Sequence, residues 1–447
     1  MQTLRQQMDT GTMSRYQWGT VALCVLMQIV DGFDILIVAY TATSLTNEWN
    51  LSGGELGLLL SAGLFGMAAG TLFISPYADK FGRRPLVLAC LVISSLGMVF
   101  SAMADGPLML GILRVITGLG MGGVIVSGNV IASEFASARW RGLAVSLNTT
   151  GYALGAVVGG IVAIWLQAQF SWRGVFLFGA GITVVAFFVL LVRMPESVDF
   201  LYLSKSPRAL ERVNALAGKM GKAEVTELTS PAAAPAPAKT ESSIVRLFAR
   251  NHRRSTIIVC CGFFLNMFGY YFVQSWTPRL LVSAGLTESQ GNIGGTLLNL
   301  GGMAGSVFIG LLVARLPLKV VLTSFLTISG ALLCVYASAP SSLLVAFIVA
   351  VLIGLFVNGC MAGLFTLVTG VYEPGVRATA VGLGITVGRI GAIVAPIVVG
   401  TLVDLNWTTS ALYLLMSVAF FAAAVAVSRI KRKTAPTTDP VQDLVRN

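Results

Sequence analysis

Long apolar runs separated by short polar breaks fill the chain from one end to the other. They fall near 18–43, 55–77, 86–104, 107–132, 143–168, 173–192, 256–280, 288–313, 318–338, 341–369, 377–402 and 409–428. Each is close to or above the roughly 20 residues that a helix needs to cross a bilayer core. The pattern predicts an all-α membrane protein with twelve spanning helices. Only one polar break is long. Residues 193–255 carry Lys205, Arg208, Arg212, Lys219 and Lys222, then a spacer containing Pro231, Pro235 and Pro237. A stretch near 207–220 can form an amphipathic surface helix, and the Pro/Ala spacer is expected to be extended. The chain thus divides into a tail (1–17), a six-helix bundle (18–192), a central loop (193–255), a second six-helix bundle (256–428) and a closing tail (429–447).

Composition agrees with a membrane protein. With 447 residues, 55% of them hydrophobic and 11% charged, and a mean hydropathy of +0.82, the chain is too apolar for an ordinary soluble domain. Its thirty Lys and Arg against nineteen Asp and Glu would suggest nucleic acid in a soluble protein. Here the basic residues sit in short loops, where they orient a chain in a membrane, and no nucleic-acid partner is expected. Lys80, Arg83 and Arg84, then Arg139 and Arg141, then Arg315 and Lys319, then Arg377 all follow even-numbered runs, and Arg429, Lys431, Arg432 and Lys433 follow the last. Loops such as Thr46–Asn50 and Ala104–Pro107 have no Lys or Arg. Both termini are therefore expected in the cytoplasm, with the protein in a bacterial-type inner membrane. The polar first 17 residues lead to no cleavage site, so the first span is expected to stay. Six cysteines all lie inside apolar runs without metal-ligand spacing or loop pairing.

The two bundles repeat. A shift of 235 sets Gly70–Ser75 against Gly305–Gly310, with Lys80 on Arg315 and Arg84 on Lys319; a shift of 236 sets Gly155–Val158 against Gly391–Val394, with Arg141 on Arg377. Parallel repeats related by an axis along the membrane normal place a binding site near mid-membrane, where rocking of one half against the other exposes it to each side in turn.

Charges deep in such a chain are costly and usually face a bundle interior or a watery cavity. The two deep acids are Asp31 and Asp34, whose i, i+3 spacing puts them on one helix face. The deep bases are Arg114 and Arg389, with Arg377 near a helix end. At 1.5 Å per residue, Arg114 lies about 10 Å and Asp34 about 13 Å from the same membrane face, so the two can share a depth. A guanidinium keeps its charge and can grip a carboxylate, whereas an aspartate can exchange a proton. Asp31 and Asp34 are thus the candidate proton-coupling pair and Arg114 and Arg389 the candidate anion holders. Helix packing is the alternative for both arginines. The only histidine, His252, lies in a loop, which leaves no histidine relay inside the membrane.

Several motifs carry a family resemblance. Ser75-Pro-Tyr-Ala-Asp79-Lys80-Phe-Gly82-Arg83-Arg84 resembles the signature between the second and third helices of the major facilitator superfamily, with Ser75 where glycine is usual. Arg114–Gly122 resembles its fourth-helix motif, and Glu134-Phe135 with Arg139, Arg141 and Gly142 its next loop. Asp31-Gly32-Phe33-Asp34 resembles the Asp-Gly-x-Asp signature of the aromatic acid/proton symporters; Trp276-Thr-Pro278, Tyr372–Arg377 and Gly388–Pro396 agree with that subgroup. The resemblance implies import of a benzoate- or hydroxybenzoate-like acid with protons. It also implies a gate at Asp79, Gly82, Arg83 and Arg84, joined by Glu134, Arg141 and Arg377. In the second copy Ala314 replaces the acid and Pro317 the glycine, so a latch there is expected to be weaker.

For a flat acid the expected pocket residues are Arg114, Arg389, Phe33, Tyr271, Trp276 and Asn299, with Tyr270, Gln274, Asn266 and Asn358 nearby. The partners expected are a small aromatic carboxylate, protons and the lipid bilayer, with a monomer sufficient. Neither a nucleotide-binding Gly-x-x-x-x-Gly-Lys-Ser/Thr loop nor a catalytic constellation stands out, so an enzyme and a cofactor are not expected. Proton-coupled carriage of non-aromatic acids, a drug/proton antiporter, and a sensor or passive channel on the same fold remain open.

Overall fold

The structure, a computed structural model, describes residues 3–204, 208–228, 243–249, 253–338, 342–372 and 374–430. The Pro/Ala spacer, His252 and the basic tail after Arg429 lie outside the described residues. Twelve helices are long and apolar enough to span a membrane. They are α1 (Arg15–Trp49), α2 (Gly53–Phe81), α3 (Arg83–Ala102), α4 (Pro107–Phe135), α5 (Arg141–Gln169) and α6 (Trp172–Arg193) in the first half. The second half has α7 (Arg253–Ser283), α8 (Glu288–Val313), α9 (Leu318–Ala337), α10 (Leu343–Val371), α11 (Pro374–Asp404) and α12 (Thr409–Ser428). Several run past the apolar runs because polar caps prolong them. Ser52 and Glu55 form a reciprocal capping box at the start of α2, and Thr287 and Gln290 form another at the start of α8. Such caps are worth about 1 kcal/mol each.

The two caps are 235 residues apart, and the packing repeats with them. A side-chain carbon on Gly66 or Gly70 of α2 would lie 2.1 Å from the carbonyl oxygens of Val115 and Leu119 on α4. On Gly301 or Gly305 of α8 it would lie 2.0 Å from those of Val351 and Leu355 on α10. Only glycine lets backbones meet so closely, which is how apolar helices adhere where water gives no drive for association.

The start of α1 and the end of α12 share one face of the bundle, the termini face, and the loops at Asn50, Asp105 and Asn406 lie at the other. On the loop face the halves are joined. Asp404 at the end of α11 accepts the amides of Gly53 and Gly54 at the head of α2, at 2.6 and 2.7 Å. Ser44 of α1 donates to Glu288 of α8 at 2.6 Å, and Ser61 donates to the carbonyl of Ile393 at 2.7 Å. One apolar core runs through this face from Leu36 and Leu56 to Phe272 and Leu298. On the termini face the first half keeps a separate core that contains Leu4, Met8, Val87, Phe135 and Met220. Among the described residues no hydrogen bond or ion pair crosses the halves there. The hydrogen bonds that join the halves among the described residues are thus gathered toward the loop face.

Shorter helices floor the first half. Leu4–Thr10, within the segment expected to be a tail, is capped by Thr3, and Ala209–Met220 provides the amphipathic helix expected near 207–220. The amide of Leu4 donates to the Tyr202 hydroxyl at 2.9 Å. Arg5 pairs with Asp199, which holds the guanidinium above its ordinary pKa, and Asp9 pairs with Arg141.

Candidate functional site

Asp31 and Asp34 share a helix face but have different surroundings. Asp34 is held by Arg114 of α4, whose Nη1 donates to Asp34 Oδ1 at 2.7 Å. Arg114 is 2% exposed; its Nη2 donates to Ser101 and Thr117, and its guanidinium carbon lies 5.0 Å from the Phe176 ring centre. These partners all belong to the first half. Arg114 is therefore committed inside its own bundle, and the expectation that it holds substrate gives way to that of an internal counter-ion to Asp34.

Asp31 has no such partner. It is buried, and its Oδ1 has no hydrogen bond. Gly32 explains how it is placed: a side-chain carbon there would lie 1.9 Å from the carbonyl oxygen of Tyr152, so α1 and α5 touch at this point. Tyr152 and Tyr271 both interact electrostatically with Asp31. The charge of Arg389 reaches Asp31 from the second half, yet the two form no ion pair. Arg389 is half-buried and fifteen residues from either end of α11 (Pro374–Asp404), at mid-membrane depth.

Unsatisfied polar atoms gather around this junction. The Tyr152 hydroxyl, Gln274 Oε1 and Asn266 Oδ1 are buried without partners. Tyr271 packs with Leu64 of the first half and Met267 and Ala392 of the second, and its ring meets that of Tyr270 edge-on at 5.2 Å. An acid without a hydrogen bond and three tyrosine rings thus lie where the halves join, within electrostatic range of Arg389. Buried polar groups ordinarily find partners, so this set is suited to a ligand that brings a negative group and hydrogen-bonding oxygens.

Other expected pocket residues have different work. Phe33 points into the first half, against Phe178 at 6.0 Å and over Gly159 and Gly179, and is a packing residue rather than a pocket wall. The Asn299 amide is occupied: it accepts from Gln274 at 3.0 Å and donates to the Tyr40 hydroxyl at 3.3 Å and the Gly295 carbonyl at 3.0 Å. Because Tyr40 belongs to the other half, Asn299 closes the site on the loop face. Trp276 is fully buried in the large core, its Nε1 without a partner. Asn358 donates to the Gly302 carbonyl at 2.8 Å, which ties α10 to α8.

On the termini face, Arg83 reaches Asp79 at 3.5 Å and Glu134 at 3.8 Å. Gly82 holds φ +100, which favours glycine. The carboxylate of Glu196 accepts the amides of Arg83 and Arg84 at 2.8 and 3.2 Å, and Arg84 donates to the Leu191 carbonyl at 2.6 Å. Glu134 also accepts from Ser197 at 2.7 Å, and Arg141 donates to the Ser133 carbonyl at 3.1 Å. All these bonds lie within the first half. Asp79 is left 80% exposed, and Arg377 on the second half has an unpartnered Nε.

The sequence profile described as Major Facilitator Superfamily matches residues 24–291 and 259–445, nearly the whole chain. This protein belongs to the major facilitator superfamily. Within the superfamily it is 30% identical to a gallate transporter of Pseudomonas putida over 436 residues, 95% of this chain and 94% of that one. It is also 30% identical to the 4-hydroxybenzoate transporter PcaK of Pseudomonas aeruginosa, over 88% of each chain. With the benzoate transport protein of Acinetobacter baylyi it shares 28% identity over 99% of this chain and 95% of that one. The xylose transporter XylE of E. coli, in a partially occluded inward-open conformation, superposes with a TM-score of 0.72 at 15% identity, over 95% of this chain and all of the other. That likeness is one of superfamily fold alone.

Three features of this superfamily member escaped the sequence reading. Tyr152 and Tyr40 sit in apolar runs with no neighbouring charge to mark them. Glu196, which braces the gate loop, lies in the long polar segment, where acids are unremarked.

Proposed function

We propose that the protein imports an aromatic carboxylate of the benzoate and hydroxybenzoate kind, together with protons, across a bacterial inner membrane, with both termini in the cytoplasm. The observation that carries this reading is the opposition of Arg389 and Asp31, unpaired, across the junction of the halves. The printed activities of the relatives on gallate, 4-hydroxybenzoate and benzoate support the substrate class, and the basic loops on the termini face support the orientation.

In this mechanism Arg389 grips the substrate carboxylate, and Tyr152, Tyr270 and Tyr271 flank the ring and bond its hydroxyl groups. A charged Asp31 competes with the substrate for Arg389. A proton on Asp31 ends that competition, so acid and proton load together. The halves then rock from open on the loop face to open on the termini face. Loss of the Asp31 proton to the cytoplasm restores the competition and expels the acid. Asp34 and Arg114, neutralising one another, hold the first half in shape beside Asp31.

The test is uptake of radiolabelled 4-hydroxybenzoate into right-side-out vesicles, with and without an inward proton gradient and with benzoates and aliphatic acids as competitors. Gradient-driven accumulation blocked by aromatic acids is expected. Asp31→Asn should lose accumulation while still exchanging labelled for unlabelled substrate. Accumulation of an aliphatic acid alone would replace the substrate class, and full accumulation by Asp31→Asn would remove Asp31 from coupling.

A further inference from the structure

Each half carries, on the termini face, a cationic cleft beside the end of its sixth helix. In the first half a cavity of about 640 Å³ is lined by Tyr16 of α1, Arg84 of α3, Val192 and Arg193 of α6, and Arg212 and Lys219 of the helix Ala209–Met220. In the second half a cavity of about 740 Å³ is lined by Arg253, Arg254 and Ile258 of α7 and Val425, Ala426 and Arg429 of α12. Arg193 and Arg429 are 236 residues apart, the shift of the internal repeat, so each cleft has an arginine at the same place at the end of its sixth helix, while the rest of the two linings differs.

Both clefts are strongly cationic. The first has one acid in its lining, Glu196, whose Oε1 is taken up by the amides of Arg83, Arg84 and Ser197. Among the described residues the second has no acid in its lining. Arg193, Arg212, Arg253, Arg254 and Arg429 enter no ion pair among the described residues. Each cleft also opens onto exposed apolar side chains. Val185, Phe188 and Val192, the last 78% exposed, form a row along α6; Leu414, Val418 and Val425 form one along α12. Both helices span the membrane, so these rows face acyl chains.

An occupant of such a cleft needs a compact negative group for the arginines and long apolar chains for the adjoining row. We infer that the two clefts are binding sites for anionic phospholipids of the cytoplasmic leaflet. The phosphate lies among the arginines, which hold it by charge-assisted hydrogen bonds, and the acyl chains lie along α6 or α12. The first lipid also ties the helix Ala209–Met220 to the bilayer. The apolar side of that helix, with Val213, Leu216 and Met220, is already buried against the first half, which leaves its cations facing the cleft.

The experiment is native mass spectrometry of the full chain in a neutral detergent, titrated with phosphatidylglycerol, with phosphatidylcholine, or with phosphatidylglycerol in excess inorganic phosphate. Two retained phosphatidylglycerols are expected, with phosphatidylcholine retained at least tenfold less. Arg193→Gln/Arg212→Gln and Arg253→Gln/Arg429→Gln should each lose one, and the combined variant both, with an unchanged melting temperature. Equal retention of phosphatidylcholine by the unaltered chain, or two phosphatidylglycerols on the combined variant, would overturn the assignment. Displacement by inorganic phosphate would make the clefts free-anion sites instead and overturn it too.

Discussion

The two halves share a backbone plan but differ in how they hold charge. Asp31 aside, the first half pairs its buried acids internally: Asp34 with Arg114, and Glu134 with Arg83. At mid-depth the second half offers, among the described residues, one arginine, Arg389, which enters no ion pair there. Charges bonded within one rigid half cannot respond to the other. A charge left unpaired at the junction can, because the distance to its opposite number changes whenever the halves rock. The first half is thus a frame for Asp31, and the second brings the group that Asp31 opposes.

Replacing the two arginines in turn should separate these roles most sharply. Arg114→Gln leaves Asp34 buried without its counter-ion, a change that costs about 3–5 kcal/mol, and should appear as a large fall in melting temperature in detergent. Neutralising both partners, Asp34→Asn with Arg114→Gln, should recover much of that loss. Arg389→Gln should leave the melting temperature nearly unchanged, since no partner is stranded. It should weaken binding of the acid by roughly ten- to a hundredfold, the worth of a hydrogen bond to a charged group, and spare the neutral amide analogue. Equal effects of the two single changes on stability would abolish the distinction between the halves.

That distinction was only partly legible in the sequence. The number of spans and the repeat could be read because the bilayer imposes a length on every apolar run, and because glycine contacts such as Gly70 on Leu119 recur at Gly305 on Leu355. Depth arithmetic brought Arg114 level with Asp34, but spacing along one helix cannot say which of two acids a neighbouring helix will meet. The rotation of α1 turns Asp34 toward α4 and leaves Asp31 beside Tyr152, and that rotation rests on the Gly32 contact. For Phe33 and Asn299 too, the residue type suits a pocket while the direction follows from packing, toward Phe178 for the one and between Gln274 and Tyr40 for the other. The docked Leu4–Thr10 helix was hidden because only Leu4 and Met8 of its seven residues are buried.

The faces of the molecule offer a second contrast, since the halves are bonded on the loop face and, among the described residues, share no hydrogen bond or ion pair on the termini face. Asp404 holds two amides at the positive end of α2, where a carboxylate is favoured. Asp404→Asn keeps one acceptor and loses the charge, a change of about 1–2 kcal/mol that shifts a two-state balance roughly five- to thirtyfold. Ser61, buried under that contact and bonded to Ile393, reports the shift when changed to cysteine. A membrane-impermeant thiol reagent applied at the loop face should modify Ser61→Cys several times faster when Asp404→Asn is added. An unchanged rate would mean that the remaining contacts close the face without it.

The smallest effect is expected at the weaker copy of the gate. In the first half Arg83 faces Glu134, which is 3% exposed and bonded besides to Ser197; Arg83→Gln strands an acid largely removed from water. In the second half Lys319 donates to the main-chain carbonyl of Ile430 at 2.9 Å, with no acid involved. Lys319→Gln therefore loses one ordinary hydrogen bond at the membrane surface, about 0.5–1.5 kcal/mol, and the freed carbonyl can turn to water. Thermal unfolding of the two variants, each at low and high salt, compares them directly. The Arg83→Gln deficit should be the larger and should shrink with salt, because salt already weakens the charge interaction that the variant removes. The Lys319→Gln deficit should stay small and nearly constant. A salt-dependent deficit of equal size at Lys319 would mean that the second half holds an ionic latch of its own, and the asymmetry between the copies would fail.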